Sequence, residues 1–81
     1  MTTYALDEVS LHKTPDDCWI VIRDHVYDVT GLIPIHPGGT TIIMQVAGED
    51  VTDYFTQLHR PEILDIFGSE YCIGRLQKAH I

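Results

Sequence analysis

His36-Pro37-Gly38-Gly39-Thr40-Thr41-Ile42-Ile43-Met44-Gln45-Val46-Ala47-Gly48 is where the chain changes its pattern. Up to it, Gly31–Gly39 reads as a loop, because Pro34 and Pro37 cannot donate backbone hydrogen bonds and two glycines follow. Past it, Thr40–Ala47 reads as a helix opened by Thr and closed by Gly48. Further on, Asp50–Leu58 is a second helix, with Asp50 as N-cap and Asp53 in the capping-box position. Arg60–Phe67 is a third, with Pro61 in its first turn, and Tyr71–Leu76 returns to strand character. Upstream, Cys18–Arg23 and Val26–Val29 alternate as strands joined at Asp24-His25, a hairpin. Thr14–Asp17 is a turn, and residues 7–12 form a short helix capped by Asp7. Strands at both ends with helices between them give an α+β domain, a small mixed sheet with short helices, not an alternating βαβ sheet.

The chain has 81 residues, 44% hydrophobic and 21% charged, which is room for one domain spanning 1–81, with its core at about 4–76. Twelve acids against five bases leave a net charge of −7, which argues against nucleic acid or an anionic membrane surface as partner and suits a basic protein. No run approaches the ~20 apolar residues that span a bilayer. Neither end reads as a signal peptide or a lipidation box. The expectation is a soluble, cytoplasmic monomer without an integral membrane anchor. Cys18 and Cys72 sit in apolar strand-like runs and read as small hydrophobes. No Cys-x-x-Cys pair is present, which speaks against structural zinc and covalently tethered haem.

Two histidines stand out by position. His36 precedes the first long helix and His59 lies between the second and third, with 22 residues separating them. That spacing lets two short antiparallel helices form a V-shaped cleft with an imidazole on each rim. Leu32, Ile35, Ile42, Ile43, Val46, Phe55, Leu58, Ile63, Leu64 and Phe67 would line it. Two readings stand at this point. In one, a haem is clamped between two neutral imidazoles, leaving one-electron transfer as its chemistry. In the other, His36 is a loop residue, His59 a helix cap, and the apolar faces are ordinary core. His12, His25 and His80 read as surface residues.

The motifs resemble the cytochrome b5 family in its own order. They are Asp16-Asp17-Cys18-Trp19-Ile20-Val21-Ile22, Val26-Tyr27-Asp28-Val29-Thr30, His36-Pro37-Gly38-Gly39, Ala47-Gly48-Glu49-Asp50-Val51-Thr52, Phe55 with His59 four places on, and Ile73-Gly74-Arg75-Leu76. The resemblance implies a cytochrome b5-like fold and a soluble electron carrier, not an enzyme. It implies a non-covalent haem b with His36 and His59 as its iron ligands. Leu32, Ile42, Ile43 and Phe55 carry over as pocket walls, and Ile35, Pro37, Gly38, Val46 and Leu58 complete the expected cofactor contacts. Arg60, where the family often has Ser, reads either as the partner of a haem propionate or as a solvent-exposed residue. Trp19 and Tyr27 fall where the family builds a second, structural core. The implied partners are a flavin-containing reductase as donor and an acceptor redox protein, basic in character.

Departures from the family pattern are also on the page. The Thr56-Gln57-Leu58 segment between Phe55 and His59 is one residue shorter than in microsomal members. It is closer to the haem domains of flavocytochrome lactate dehydrogenases and nitrate reductases. Thr40 and Thr41 replace an acidic pair. An acidic face around the mouth is still expected from Glu49, Asp50, Asp53, Glu62 and Asp65. Rival readings are a haem-less interaction or lipid-binding module, which retention of both histidines disfavours, and the redox module of a larger oxidoreductase.

Overall fold

The structure, a computed structural model, describes residues 2–36 and 38–77, the side chains of 66 and 67 excepted. Pro37, His80 and the side chain of Phe67 therefore lie outside the described residues. The strands are β1 (Thr3–Tyr4), β2 (Lys13–Thr14), β3 (Asp17–Ile22), β4 (His25–Asp28) and β5 (Cys72–Leu76). The helices are α1 (Leu6–Val9), α2 (Gly39–Met44), α3 (Thr52–Leu58) and α4 (Glu62–Tyr71), with a 3-10 helix at Thr30–Ile35 before α2. The sheet order is β1-β5-β4-β3-β2, with β1 parallel to β5 and the other pairings antiparallel. The expected α+β class and mixed sheet are what forms.

The β3–β4 hairpin turns at Arg23-Asp24, one residue earlier than expected, because Ile22 pairs with His25. Both turn residues are left-handed, with φ of 50° and 64°, the backbone of a two-residue turn whose twist matches that of the strands. Beyond β2, the outer edge of β3 is covered by residues 48–51. Gly48 donates to the Trp19 carbonyl at 2.7 Å, Val21 donates to Glu49 at 3.0 Å, and Val51 donates to Val21 at 2.8 Å. The loop after α2 thus satisfies backbone groups that an edge strand would otherwise expose.

Period-two alternation splits the core in two. On one face, Cys18, Ile22, Tyr27 and Val29 pack with Ile33, Ile43, Ala47, Val51 and Phe55 from the helices. On the other, Val9, Val21 and Val26 are fully buried, with Tyr4, Trp19, Ile73 and Leu76 packed around them. Trp19 belongs to this second core as expected. Tyr27 does not; it pairs with Ile20 and lies on the helix side. Burial raises the Tyr27 hydroxyl above its ordinary range, the neighbouring Cys72 adds to this, and Arg23 opposes it.

Several local expectations shift for identifiable reasons. Helix α1 starts at Leu6 with Ala5 before it, so Asp7 is in the first turn and not the cap. The loop reading of 31–39 gives way to the 3-10 helix, which tolerates Pro34 because its bonds are short-range and few. Helix α3 starts at Thr52, and Asp50, two residues earlier, accepts the Thr52 N–H at 3.0 Å. Helix α4 runs on to Tyr71 and hands over to β5 without a loop. His12 is not a plain surface residue. Its ring stacks on Trp19 at 3.5 Å, and its Nδ1 lies 2.8 Å from both carboxylate oxygens of Asp17. No helix among the described residues is long and apolar enough to cross a membrane.

Candidate functional site

The 3-10 helix, α2, α3 and the start of α4 leave a cavity of about 550 Å³ above the helix-side face of the sheet. That is within the ~300–1,000 Å³ typical of cofactor and small-molecule sites. Its walls are Leu32 from the 3-10 helix, Ile42, Ile43 and Val46 from α2 and its exit, Tyr54, Phe55 and Leu58 from α3, and Ile63 from α4. Its floor is Ile20, Ile22, Val29 and Val51. Apart from the Tyr54 hydroxyl, the polar side-chain groups of this lining are the two imidazoles, His36 and His59.

His36 follows the last residue of the 3-10 helix in extended backbone, and His59 does the same after α3. Each imidazole is therefore carried at the C-terminal end of a short helix, on opposite rims. The ring centroids are 6.0 Å apart and the planes tilted by 51°. Phe55, one turn before His59, lies against its ring at 4.8 Å and 13°, which holds that imidazole's plane. The Nδ1 atoms of both histidines are buried without a hydrogen-bond partner. The backbone-carbonyl partners that would fix the tautomer of a ligating histidine are thus not made in this structure.

The spacing is informative. A metal–imidazole bond is ~2.0 Å, and the ring centroid lies roughly 1 Å beyond the bonded nitrogen. Two imidazoles sharing one metal ion therefore stand about 6 Å apart at their centroids, the separation found here. The residues fit an apolar, metal-centred cofactor: an apolar cleft of cofactor volume with two nitrogen donors and no carboxylate in its lining.

Of the contacts expected from sequence, Leu32, Ile42, Ile43, Val46, Phe55 and Leu58 line the cleft. Ile35 does not; it is 71% exposed and outside the wall. Arg60 is exposed and does not line the cavity. Gly38 contributes through backbone, taking φ of +90° at the entrance to α2 beside Ile42. The floor residues and Tyr54 were missed. Strand alternation was the available signal for the floor, since Ile20 and Ile22 fall on the same face as Cys18. Among the expected acids, Asp50 is bonded to Thr52, and Asp65 lines a separate groove with Arg23 and His25 on the far side of α4.

Comparison with known proteins points one way. Residues 5–77 match the family described as "Cytochrome b5-like Heme/Steroid binding domain". The chain is 48% identical over 71 residues to "L-lactate dehydrogenase (cytochrome)" of Saccharomyces cerevisiae, covering 86% of this chain and 12% of that protein. It is 42% identical over 77 residues to "Cytochrome b5" of Rhizopus stolonifer, covering 94% of this chain and 58% of that one. The chain therefore spans only part of the length of these relatives. Among solved structures, "Cytochrome b5 of Ostreococcus tauri virus 2" superposes with a TM-score of 0.83 at 41% identity, covering 91% of this chain and 95% of that one. Cytochrome b558 of Ectothiorhodospira vacuolata gives 0.81 at 29% identity, covering 94% and 99%.

Proposed function

This chain belongs to the cytochrome b5-like heme/steroid binding domain family, and from that premise we propose that it is a one-electron carrier with a non-covalent haem b held between His36 and His59. The observation that carries the reading is the 6.0 Å separation of the two imidazoles across an apolar cleft. Haem bound there supplies an iron centre that alternates between two oxidation states. His36 and His59 would both hold the iron, which would leave it no free position for oxygen or substrate and make one-electron transfer the chemistry it supplies. Phe55 orients the His59 ring, and the walls from Leu32 to Ile63 exclude water. Gly38 lets the chain turn from His36 into α2 with its backbone close to Ile42. The histidine pair favours haem over the steroid side of the family description, since a steroid offers imidazole no metal.

The proposed donor is a flavin-containing reductase and the proposed acceptor a redox protein, met by a monomeric domain in the cytoplasm. A second reading, the redox module of a larger oxidoreductase, is favoured by one observation. The chain matches only 12% of the lactate dehydrogenase and 8% of the "Nitrate reductase [NADPH]" of Phytophthora infestans, at 48% and 42% identity. Both readings give the domain the same chemistry. The test is the visible spectrum of the haem-supplied protein, oxidised, then reduced with dithionite, then exposed to carbon monoxide. A sharp Soret band, split bands on reduction and no response to carbon monoxide are expected. Failure to retain haem would return the domain to the binding-module reading, and a carbon monoxide shift would show that one ligand is absent or labile.

A further inference from the structure

Three residues that line the cleft are also exposed: Ile42 at 48%, Tyr54 at 61% and Leu58 at 70%. The floor residues Ile22, Val29 and Val51 are buried, so these three mark the mouth. On α3, Tyr54 and Leu58 are one turn apart, and so are Phe55 and His59. Phe55 is buried and stacks on His59, which makes that pair the inner one and sets Tyr54 and Leu58 at the rim. Ile42 and Leu58 are wholly apolar. Tyr54 brings the one polar side-chain group to this rim, and its hydroxyl has no hydrogen-bond partner among the described residues.

Haem b carries two carboxylates on one edge of an otherwise apolar ring. An ionised carboxylate is costly inside an apolar cavity that offers it no partner, so that edge belongs at the mouth. No Lys or Arg among the described residues lines the cleft, and Arg60 is exposed and off its walls. The charged neighbour of Tyr54 along α3 is Asp53, an acid, which repels a carboxylate and cannot donate to it when ionised. A neutral hydroxyl is the donor that the rim supplies.

We propose that Tyr54 recognises the acidic edge of the cofactor, its hydroxyl donating a hydrogen bond to a haem propionate. The proposal deepens the haem reading and rests on it. It divides the cofactor between residues: His36 and His59 take the metal, the apolar walls take the ring, and Tyr54 takes a carboxylate. The contact favours the free acid over a porphyrin whose carboxylates are esterified, because an ester forms no charge-assisted bond. Tyr54 is well exposed, so the bond competes with water and its effect is modest.

The experiment loads the protein with haem or with haem dimethyl ester and mixes each with excess scavenging apo-globin, following release by the Soret band. Tyr54→Phe keeps the ring and removes only the hydroxyl. It is expected to release haem about fivefold faster than wild type, with its spectrum still low-spin. It should release the dimethyl ester at close to the wild-type rate. Arg60→Gln should release both at wild-type rates. Unchanged haem release from Tyr54→Phe overturns the proposal. Equal acceleration for haem and ester also overturns it, because the hydroxyl then acts through packing and not through the carboxylate. Faster release of haem alone from Arg60→Gln, with Tyr54→Phe unaffected, assigns the propionate to Arg60 and overturns it as well. The spectrum is read before apo-globin is added. A wild type that retains no haem fails there, which overturns the electron-carrier reading and this proposal with it, and separates that failure from a failure of Tyr54.

Discussion

Thr52 Oγ1 accepts the backbone N–H of Arg23 at 2.9 Å, tying together residues 29 positions apart. Thr30 does the same for Cys18 at 2.9 Å, near the other end of β3. Both threonines belong to an Asp-Val-Thr tripeptide, 28–30 and 50–52. In each, the threonine hydroxyl donates to the aspartate two places back, at 2.7 Å to Asp28 and 2.6 Å to Asp50. The valine between them, Val29 or Val51, lies in the cleft lining. Two identical tripeptides therefore fasten the ends of the strand that carries Ile20 and Ile22, and each adds its own apolar residue to the same floor.

Thr30→Val tests the first fastening. The Cys18 N–H it leaves behind is partly buried, so the loss is expected at about 1–3 kcal/mol, the range for a stranded donor. Thr52→Val should lose less, about 0.5–1 kcal/mol, because the Arg23 N–H is exposed and can turn to water. Urea unfolding of both variants measures this. Equal losses, or a larger one for Thr52→Val, would contradict the role assigned to burial.

His36→Ala and His59→Ala test the proposed ligands separately. Under the proposed assignment each variant would leave the iron one ligand short, so a high-spin spectrum and carbon monoxide binding are expected of the variants and neither is expected of the wild type. Phe55→Leu should retain the low-spin spectrum while altering the reduced bands, because it removes the ring stacked at 4.8 Å but no ligand. A low-spin spectrum persisting in both histidine variants would refute the assignment.

Much of this was legible in the residues. The β3–β4 pair, three of the helices and both histidines follow from periodicity and from Pro and Gly placement. What was not legible has physical causes. The 3-10 helix is hidden because Pro34, Pro37 and the two glycines that follow read as breakers, and a helix of such short-range bonds leaves no 3.6-residue pattern. β2 is two residues long, too short to show alternation. The cleft floor is not legible because alternation puts Ile20 and Ile22 on one face of the strand without saying which face the helices cover. Ile35 was misplaced because apolar character alone does not say on which side of a wall a residue falls.

Gly38→Ala and Gly39→Ala form a matched pair. Both glycines are left-handed, with φ of 90° and 68°, so an alanine at either is expected to destabilise by roughly 1–2 kcal/mol. They differ in surroundings. A Cβ on Gly38 would press on Ile42 Cδ1, whereas one on Gly39 meets nothing within 4 Å. Ile42 lines the cleft, so a shift of its tip alters the wall there. Gly38→Ala should therefore release haem to a scavenging apo-globin several times faster than Gly39→Ala at similar loss of apo-protein stability. Equal release rates would show that the cleft does not feel this contact.

Cys18 gives the protein an alkaline weakness. Its side chain is fully buried, and burial first, then Asp28 and Asp17, push the thiol up to about 11 from an ordinary value of 9.0. An acid whose folded value is raised keeps its proton in the native state after the unfolded chain has lost it. Its contribution is therefore intact below pH 9 and is lost as the pH rises towards 11, by ~2–3 kcal/mol in all. Tyr27, also raised, adds a loss in the same direction, so the comparison must be between variants. Cys18→Ala should be less stable than wild type at pH 7.5 through lost packing, and the gap should narrow between pH 9 and 11. Denaturant midpoints at the three pH values decide it. A gap that stays constant would mean that the Cys18 thiol does not titrate differently in the folded and unfolded chains.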